Sequence, residues 1–328
     1  MSVPDTAQQL LENAAFRTRP DLGVVRVSGD DRSSWLNGQI TNDVRNLSPG
    51  TGVHALAVNV RGKIISELWV TAHASELLIV VPSAAQSALL ESFERYIIME
   101  DVTLEPLAAV RVLSLEGPRS QVVQALINHG PEVIGFAHTA LNFPAYAWLG
   151  PAPELEAIAD QLLAHASAIE PESYELARLR RASPRFGIDF DEHHYPQEAG
   201  LKDQVSFNKG CYLGQEVVCT LESRGRLSRH LVSLRGAPGA VVEPGAQLAL
   251  TANSDAKAGD DAHETVGTVT SVAWDPALGT SLALGYVRRT HAAVGTVLLA
   301  GTQQLTIDKR VGEPSSAPAS TQQSAPGL

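Results

Sequence analysis

The sequence is poor in cysteine, with only Cys211 and Cys219 among 328 residues. Two thiols are too few for the roughly four cysteine ligands that an iron–sulfur cluster usually takes, and no C-x-x-C pair is present. Only His193 and His194 are adjacent among the ten histidines, without the i, i+4 spacing of ligands on one helix. We therefore expect no metal site formed by this chain alone. Any cluster would be shared with a partner.

Several other signatures are also missing. No apolar run approaches the roughly eighteen residues of a membrane span, and the first sixteen residues lack the basic and apolar regions of a secretory signal. We therefore predict a cytoplasmic protein that does not span a membrane. There is no G-x-G-x-x-G after a strand, no Walker A lysine loop, no G-x-S-x-G and no H-E-x-x-H. The common nucleotide-binding, serine-hydrolase and zinc-protease sites are thus unsupported.

Positive charge is scarce overall but locally concentrated. The formal net charge of −11 argues against broad binding to nucleic acid or to an anionic membrane. Between residues 202 and 235, however, six bases outnumber three acids; the bases are Lys202, Lys209, Arg224, Arg226, Arg229 and Arg235. This excess suits a small anionic ligand, and it is equally typical of a solvated loop. Charge alone leaves both interpretations open.

The first two thirds of the chain predict hairpins mixed with helices. Strand-like runs occur at Leu22–Gly29, Val53–Val60, Lys63–Ala72 and Glu76–Pro82, and Arg61-Gly62 reads as a hairpin turn. Asp30 or Asp31 is a candidate N-cap of the following helix, and Ser83 of a later one. Such an order favours α+β layers over a doubly wound parallel sheet.

From about Leu231 the character of the sequence changes. Short strand-like runs, separated by proline, glycine and aspartate turns, predict a small antiparallel barrel or sandwich. Asn253–Glu264 is a polar loop, and the end of the chain is too polar to fold. We predict an N-terminal α+β region at 1–150, a second α+β lobe at 151–230 that contains Cys211, a β-barrel at 231–311 and a disordered tail at 312–328.

The segment NKGCYLGQEV, residues 208–217, places Cys211 beside Lys209 and between two glycines. A thiol reacts or binds metal as the thiolate, which a nearby cation or a helix N-terminus favours. Lys209 is a candidate cation, and a helix or a strand starting near Gln215 would put the thiol at the start of that element. The alternative is a small buried side chain in a turn, since cysteine is often buried. By that principle Cys219, in an apolar run, is predicted to be a core residue.

Glu198 lies in the turn-like segment YPQEAGLKD. A carboxylate on a turn can point into a cleft, where its two oxygens would match adjacent ring N–H and amino donors of a planar heterocycle. A solvated loop carboxylate is the simpler alternative. The residues alone do not decide between these two interpretations.

The motif KGCYLGQE, Lys209–Glu216, resembles the signature K-G-C-[FY]-x-G-Q-E of the YgfZ family of folate-binding proteins, whose eukaryotic counterparts are mitochondrial iron–sulfur assembly factors. The block at Gly29–Val44 resembles the N-terminal G-x-D-x-x-x-[FW]-L-x-x-x-x-x-N-D of that family. Pro196–Leu201 is similar to P-x-E-A-G-L of the related glycine-cleavage T-protein, and SRGRLSRHL resembles the arginine–glycine segment after the cysteine motif. The resemblance covers about residues 15 to 310.

The resemblance implies a T-protein-like fold, with α+β lobes around a central opening and a C-terminal antiparallel β-barrel. It implies a tetrahydrofolate ligand and a role in assembling, maintaining or repairing iron–sulfur clusters in client enzymes, including those that modify tRNA. Its partners would be folate and those enzymes or assembly proteins, without direct nucleic-acid binding. Cys211 and Lys209 would be the catalytic residues, and Cys211 would be the transient ligand of any cluster. The rest of the motif is Gly210, Tyr212, Gly214, Gln215 and Glu216. The folate contacts would be Glu198, at the pterin, and Asn59, Arg224 and Arg226.

One departure from the T-protein bears on activity. The T-protein carries two aspartates on the strand after its N-x-x-G-G turn, whereas this chain has Ser66 and Glu67. Loss of the first carboxylate removes an acceptor, and a glutamate displaces the second by one methylene. We therefore favour an accessory factor over an enzyme, with folate-dependent aminomethyl or methylene transfer as the alternative.

Overall fold

The structure, a computed structural model, describes residues 2–225, 227–250 and 264–313. These residues form two five-stranded sheets, seven α-helices and a closed six-stranded barrel. The predicted α+β class with a C-terminal antiparallel barrel is confirmed. The polar loop predicted at Asn253–Glu264 lies outside the described residues except for Glu264, and the tail predicted at 312–328 does so beyond residue 313.

The helices alternate with the strands along the chain. They are α1 (Val3–Glu12), α2 (Arg32–Gln39), α3 (Ser83–Glu94), α4 (Ser120–Gln124), α5 (Ala152–Leu162), α6 (Pro171–Arg181) and α7 (Gln215–Ser223). None of those in the described residues is long and apolar enough to cross a membrane. The sequence also predicts an amphipathic helix with Leu155, Ile158, Ala159, Leu162 and Leu163 on one face. In α5, Leu155, Ile158 and Leu162 are buried, whereas Leu163 follows the helix and is exposed.

Sheet 1 is antiparallel, in the order β3-β4-β5-β2-β6. Its strands are β2 (Leu22–Ser28), β3 (Gly52–Val58), β4 (Ile64–His73), β5 (Glu76–Pro82) and β6 (Thr103–Pro106). One face packs against α2 and α3 through Trp35, Leu89 and Phe93. The predicted hairpin is β3 and β4, and Gly62 allows its turn because its φ is +73°.

Sheet 2 has the order β10-β1-β7-β9-β8, antiparallel except for the β1–β10 pair. Its strands are β1 (Ala15–Thr18), β7 (Arg111–Glu116), β8 (Ile134–Ala140), β9 (Phe143–Gly150) and β10 (Ser167–Ala168). Side chains alternate along β7, so Leu113 and Leu115 join the core beneath α5. Val112, Ser114 and Glu116 point to the other face, toward sheet 1 and the space between the sheets.

The two sheets touch at one end and separate at the other. Val24 and Val80 of sheet 1 pack against Val112 and Phe136 of sheet 2, and the backbone of Thr51 bridges to that of Ala137. Beyond this contact the sheets part, which leaves an opening that α6 and the barrel border.

The barrel closes in the order β11-β14-β13-β12-β15-β16. Its strands are β11 (Arg229–Gly236), β12 (Gln247–Leu250), β13 (Thr265–Asp275), β14 (Thr280–Arg288), β15 (Val297–Ala300) and β16 (Gln303–Arg310). The sequence predicted five of these and missed β16, whose polar residues hide its two inward side chains, Leu305 and Ile307. The boundaries predicted for the two lobes before the barrel stay a prediction.

The N-cap position predicted at Asp31 is confirmed, whereas the one predicted at Ser83 is wrong. Asp31 occupies the N-cap position of α2, but its carboxylate accepts a hydrogen bond from the amide of Asp101 at 2.8 Å. The chain returns to this point at β6, and the carboxylate serves that long-range contact instead of a helix amide. Ser83 is the first residue of α3, after Pro82 at the N-cap position.

Candidate functional site

A cavity of about 440 Å³ occupies the opening between the two sheets, α6 and β16. Its walls come from β3 and β4 of sheet 1, from β1, β7 and β8 of sheet 2, and from the ends of α6 and β16. Pockets of this size typically hold small molecules or cofactors. The central opening expected from the resemblance is therefore present.

Polar side-chain atoms without protein partners concentrate in this cavity. Among the described residues, eleven buried side-chain nitrogen and oxygen atoms have no hydrogen-bond partner. Seven of them belong to residues that line the cavity: Arg17 Nε, His54 Nε2, Trp69 Nε1, Glu116 Oε1 and Oε2, His138 Nε2 and Gln204 Oε1. Each such atom costs about 1–3 kcal/mol unless something pairs with it. The cavity therefore offers several unpaired hydrogen-bonding atoms to a polar ligand.

Glu116 is the most deeply buried of these groups, with only 2% of its surface exposed. Its cross-strand neighbours are Ala15 and Ala145, which are too small to pair with a carboxylate. Arg17 Nη2 lies 3.9 Å from Glu116 Oε1, at the limit of an ion pair. Burial, with Glu116 as a further cause, raises the pKa of Tyr174 to about 12. No donor of a described residue meets hydrogen-bond geometry at either carboxylate oxygen, although Tyr174 is near enough to interact with the carboxylate.

A second acidic group, Glu67, faces the cavity from β4. Its Oε2 lies 3.3 Å from His54 Nε2, although that contact is not aligned for a hydrogen bond. The imidazole of His54 stacks on Trp69 with ring centroids 4.5 Å apart. Its Nδ1 lies 3.4 Å from Gln204 Nε2. Glu67 and His54 together form a carboxylate–imidazole pair on the cavity wall.

Ser66, the residue before Glu67, points to the opposite face of β4. It is fully buried, and its hydroxyl donates to the Glu67 carbonyl at 2.7 Å. The missing first carboxylate therefore lies on the face turned away from the cavity, while the cavity-facing position still carries one.

His138, on β8, faces the cavity as a neutral imidazole. Burial lowers its pKa from 6.5 to about 4. Its Nδ1 lies 3.1 Å from the Thr139 carbonyl and serves as the N–H donor to it. Nε2 is therefore the unprotonated nitrogen, an acceptor directed at the cavity.

The cysteine motif lies outside the cavity lining and packs on the β3–β4 turn. Gly214 has φ +76°, and a Cβ there would lie 2.3 Å from the Asn59 carbonyl oxygen, so only glycine fits. Helix α7 then begins at Gln215, as predicted. Asn59 itself is occupied by the turn, because its Oδ1 accepts hydrogen bonds from the amides of Arg61 and Lys63.

The ammonium of Lys209 is hydrogen-bonded to backbone carbonyls and not to the thiol of Cys211. Its Nζ donates to three backbone carbonyls, those of Asn37 at 2.5 Å, Ile40 at 2.7 Å and Asn42 at 2.8 Å. An ammonium has three N–H donors, so all are used. Burial lowers the pKa of Lys209 to about 8, which leaves it charged at neutral pH. The ammonium therefore has no N–H donor left for Cys211, and the lysine anchors the motif to the end of α2 and the loop after it.

The two cysteines differ from the prediction in one case. Cys211 is exposed, as a reacting thiol requires. Cys219 is only half-buried, because it lies on the side of α7 next to the buried Val218. Its assignment to the core is therefore wrong, although burial does raise the pKa of its thiol. Gly210 has no steric role here, since a Cβ there would meet nothing within 4 Å among the described atoms.

Glu198 lies apart from the cavity lining, in an ion cluster between the β3–β4 hairpin and the barrel. It is 5% exposed, with Arg229 Nε at 3.5 Å and Lys63 Nζ at 3.9 Å. Arg224 is exposed at the end of α7, and Arg226 lies outside the described residues. The structure thus brings none of Glu198, Asn59 and Arg224 to the cavity.

Sequence reasoning missed the cavity residues themselves. Glu116 could have been found as a carboxylate on the same face of an otherwise apolar strand as Val112 and Ser114. His54 and Trp69 could have been found as an imidazole and an indole on paired strands. Which space these side chains face depends on how the two sheets pack, and the local pattern does not carry that. In the described residues no group of three or more histidine, cysteine, aspartate or glutamate side chains is arranged to hold a metal ion.

Comparison with known proteins defines the class. Residues 7–141 match the GCVT N-terminal domain, and residues 229–315 match the glycine cleavage T-protein C-terminal barrel domain. Among solved structures, the glycine cleavage system aminomethyltransferase T from Bartonella henselae aligns with a TM-score of 0.79 and 19% identity, over 94% of this chain and 88% of that one. The fold is that of the glycine-cleavage T-protein class.

Curated relatives narrow the class further. The tRNA-modifying protein YgfZ of Vibrio vulnificus is 27% identical over 73% of this chain and 74% of its own. The protein of the same name from Colwellia psychrerythraea is 24% identical over 65% and 69%. A putative chloroplastic transferase of Arabidopsis thaliana is 26% identical over 85% of this chain and 66% of its own. The chain belongs to the YgfZ family, which is related to the glycine-cleavage T-protein.

Proposed function

We propose that this protein is a cytoplasmic, tetrahydrofolate-binding accessory factor for the assembly, maintenance or repair of iron–sulfur clusters in client enzymes. Folate binds in the central cavity, and Cys211 acts on the client at the surface. The clients include enzymes that modify tRNA, in keeping with the YgfZ relatives, which are tRNA-modifying proteins. The observation that carries the folate assignment is the set of unpartnered polar atoms in the cavity.

The unpartnered atoms match a reduced pterin in kind. Most are acceptors, namely the oxygens of Glu116, His138 Nε2 and Gln204 Oε1, while Trp69 Nε1 and Arg17 Nε are donors. A tetrahydropterin offers N–H and amino donors along most of its edge and a carbonyl acceptor at position 4. Glu116 is the residue best suited to the adjacent amino and N3–H donors, because both of its oxygens are available and buried. Bound tetrahydrofolate would supply a one-carbon carrier.

The separation of Cys211 from the cavity lining favours an accessory role. A thiol on an exposed segment is open to a partner protein, whereas a thiol that reacts with the folate would line the cavity. The segment between them is firmly attached to the loop after α2. Thr41 donates from Oγ1 to the Gln204 carbonyl at 2.7 Å, and Leu213 donates from its amide to the Gly38 carbonyl at 3.0 Å. One continuous segment thus connects the cavity residue Gln204 to the motif.

The test is complementation of a strain that lacks its own family member, with iron–sulfur enzyme activity as the readout. We expect Cys211→Ala to bind tetrahydrofolate like the wild type and to leave client activity low. Cys219→Ala is the matched control and should restore activity. Full client activity with Cys211→Ala would overturn the role of the thiol. A wild-type protein that binds no tetrahydrofolate would overturn the ligand.

A second candidate is a folate-dependent one-carbon transferase, which the cavity-facing Glu67 and its partner His54 favour. In this function the carboxylate would accept a proton from a substrate amine beside the folate. Incubation of the protein with tetrahydrofolate and candidate aminomethyl donors tests it. Formation of 5,10-methylenetetrahydrofolate, abolished in Glu67→Gln, would support the transferase, and no product would exclude it for those donors.

A further inference from the structure

Two of the unpartnered acceptors of the cavity lie in one row across sheet 2. Glu116 of β7 is opposite Ala145 of β9, and Ala145 is in turn opposite His138 of β8. Residues directly opposite each other on antiparallel strands point to the same face of the sheet. Neighbouring strands are about 4.8 Å apart, so roughly 10 Å separates the Cα atoms of Glu116 and His138. The small alanine between them leaves room for a flat ring that contacts both side chains.

The imidazole of His138 is oriented so that it offers the cavity an acceptor and no donor. Its Nδ1 lies 3.1 Å from the Thr139 carbonyl oxygen, which can only accept, so the proton of the neutral ring is on Nδ1. The rings of Phe136 and Trp69 lie beside the imidazole, with centroids 5.5 and 6.3 Å away, and restrict its rotation. Nε2 is buried and has no hydrogen-bond partner among the described residues.

The surroundings of His138 keep this imidazole neutral. Burial is the main cause that lowers its pKa to about 4, and His54 and Arg19 lower the pKa further. His54, the other imidazole of the cavity, is different because Glu67 Oε2 lies 3.3 Å from its Nε2. No such ion pair with a carboxylate of the described residues exists for His138, whose ring is hydrogen-bonded to the Thr139 carbonyl alone. Nε2 of His138 therefore stays an acceptor at neutral pH.

We propose that His138 determines the oxidation state of the pterin that the cavity binds, because its Nε2 accepts a hydrogen bond from an N–H of the reduced pyrazine ring. This rests on the proposed function, in which Glu116 pairs with the amino and N3–H donors of the pyrimidine ring. Tetrahydrofolate has N–H groups at positions 5 and 8, whereas fully oxidised folic acid has lone pairs at both.

Folic acid in the same place would set an acceptor against an acceptor and leave Nε2 of His138 buried without a partner. An unpaired buried polar atom costs far more than one good hydrogen bond gains. A site that hydrogen-bonds a group of its ligand therefore discriminates strongly against an analogue that lacks this group. His138 is thus the specificity-determining residue of the row, and Glu116 is the residue that both forms of the pterin share.

The test compares tetrahydrofolate and folic acid by equilibrium titration under anaerobic conditions, with circular dichroism to verify that each variant is folded. We expect the wild type to bind tetrahydrofolate about ten- to a hundredfold more tightly. In His138→Phe, which keeps a flat ring without an acceptor, the ratio should fall to about threefold or less, mainly through weaker binding of tetrahydrofolate. In His138→Gln it should fall mainly through tighter binding of folic acid, because an amide can rotate and donate.

His129→Phe is the matched control. The Nδ1 of His129 also lies 3.1 Å from the carbonyl of the next residue, Gly130, but this imidazole is exposed and outside the cavity lining. We expect this variant to keep the wild-type ratio of the two affinities.

The outcomes separate this inference from the proposed function. Equal affinity of the wild type for the two ligands would overturn the selection by oxidation state while leaving folate binding intact. A wild-type ratio in His138→Phe would overturn the role of His138, because the preference would then come from the shape of the reduced ring. A lost preference in His129→Phe as well would also overturn it. Absence of binding to either ligand would contradict the proposed function itself.

Discussion

Replacement of Lys209 by methionine tests the role that the structure gives this motif residue. Methionine has a similar length and shape but no N–H donor, so the three carbonyls of Asn37, Ile40 and Asn42 lose their partner together. Lys209 is only 7% exposed, so water replaces the ammonium poorly. At roughly 1–1.5 kcal/mol for each unpaired carbonyl, the free energy of unfolding should fall by about 3–5 kcal/mol.

Two assays measure this variant. Urea unfolding followed by tryptophan fluorescence gives the loss of stability, and Trp35 of α2 lies near the affected loop. The rate of iodoacetamide alkylation against pH gives the thiol pKa of Cys211. We expect that pKa to be the same in wild type and Lys209→Met, because the ammonium donates only to carbonyls. Lys209→Arg should be nearly as unstable, since a planar guanidinium cannot reproduce the three donors of an ammonium.

The opposite pattern would refute this reasoning. A variant that keeps wild-type stability while its thiol pKa rises by a unit or more would show that Lys209 acts on Cys211 directly.

Three further predictions concern other parts of the site. Gly214→Ala should lower stability by at least about 2 kcal/mol in thermal unfolding, because it adds a methyl at positive φ against Asn59, whereas Gly210→Ala should be neutral. The unfolded state takes up a proton on His138 near pH 6.5 and the folded state only near pH 4. The free energy of unfolding should therefore decrease by about 1–3 kcal/mol as the pH is lowered from about 6.5 to about 4, and it should decrease less in His138→Gln. Glu198→Gln should lower stability by about 1–2 kcal/mol and leave the dissociation constant of tetrahydrofolate within twofold, and a tenfold weaker affinity would return Glu198 to the ligand site.

Local patterns in the sequence were sufficient for the elements of the fold. The two-residue alternation of β4, the continuous apolar run of β5 and the 3.6-residue period of α5 are properties of consecutive residues. The resemblance of the cysteine motif led further, to the T-protein fold. Strand β16 was missed because only Leu305 and Ile307 mark its inward face.

The partners of the functional side chains depend on contacts distant in sequence. Lys209 reads as a neighbour of Cys211, but its ammonium reaches carbonyls about 170 residues away, at Asn37, Ile40 and Asn42. Glu198 and Glu116 look alike as single acidic residues near apolar ones. The packing of the barrel on the hairpin surrounds the first with cations, and the flanking alanines leave the second open to the cavity.

The measurement that tests the central claim most directly is a binding cycle on Glu116. Tetrahydrofolate and its analogue without the 2-amino group are titrated into wild type and Glu116→Gln, with circular dichroism to verify that the variant is folded. Loss of a charge-assisted pair of hydrogen bonds predicts tetrahydrofolate binding about ten- to a hundredfold weaker in the variant. The analogue should bind wild type weakly and the variant with little further loss. Wild-type affinity for tetrahydrofolate in a folded Glu116→Gln would contradict the account.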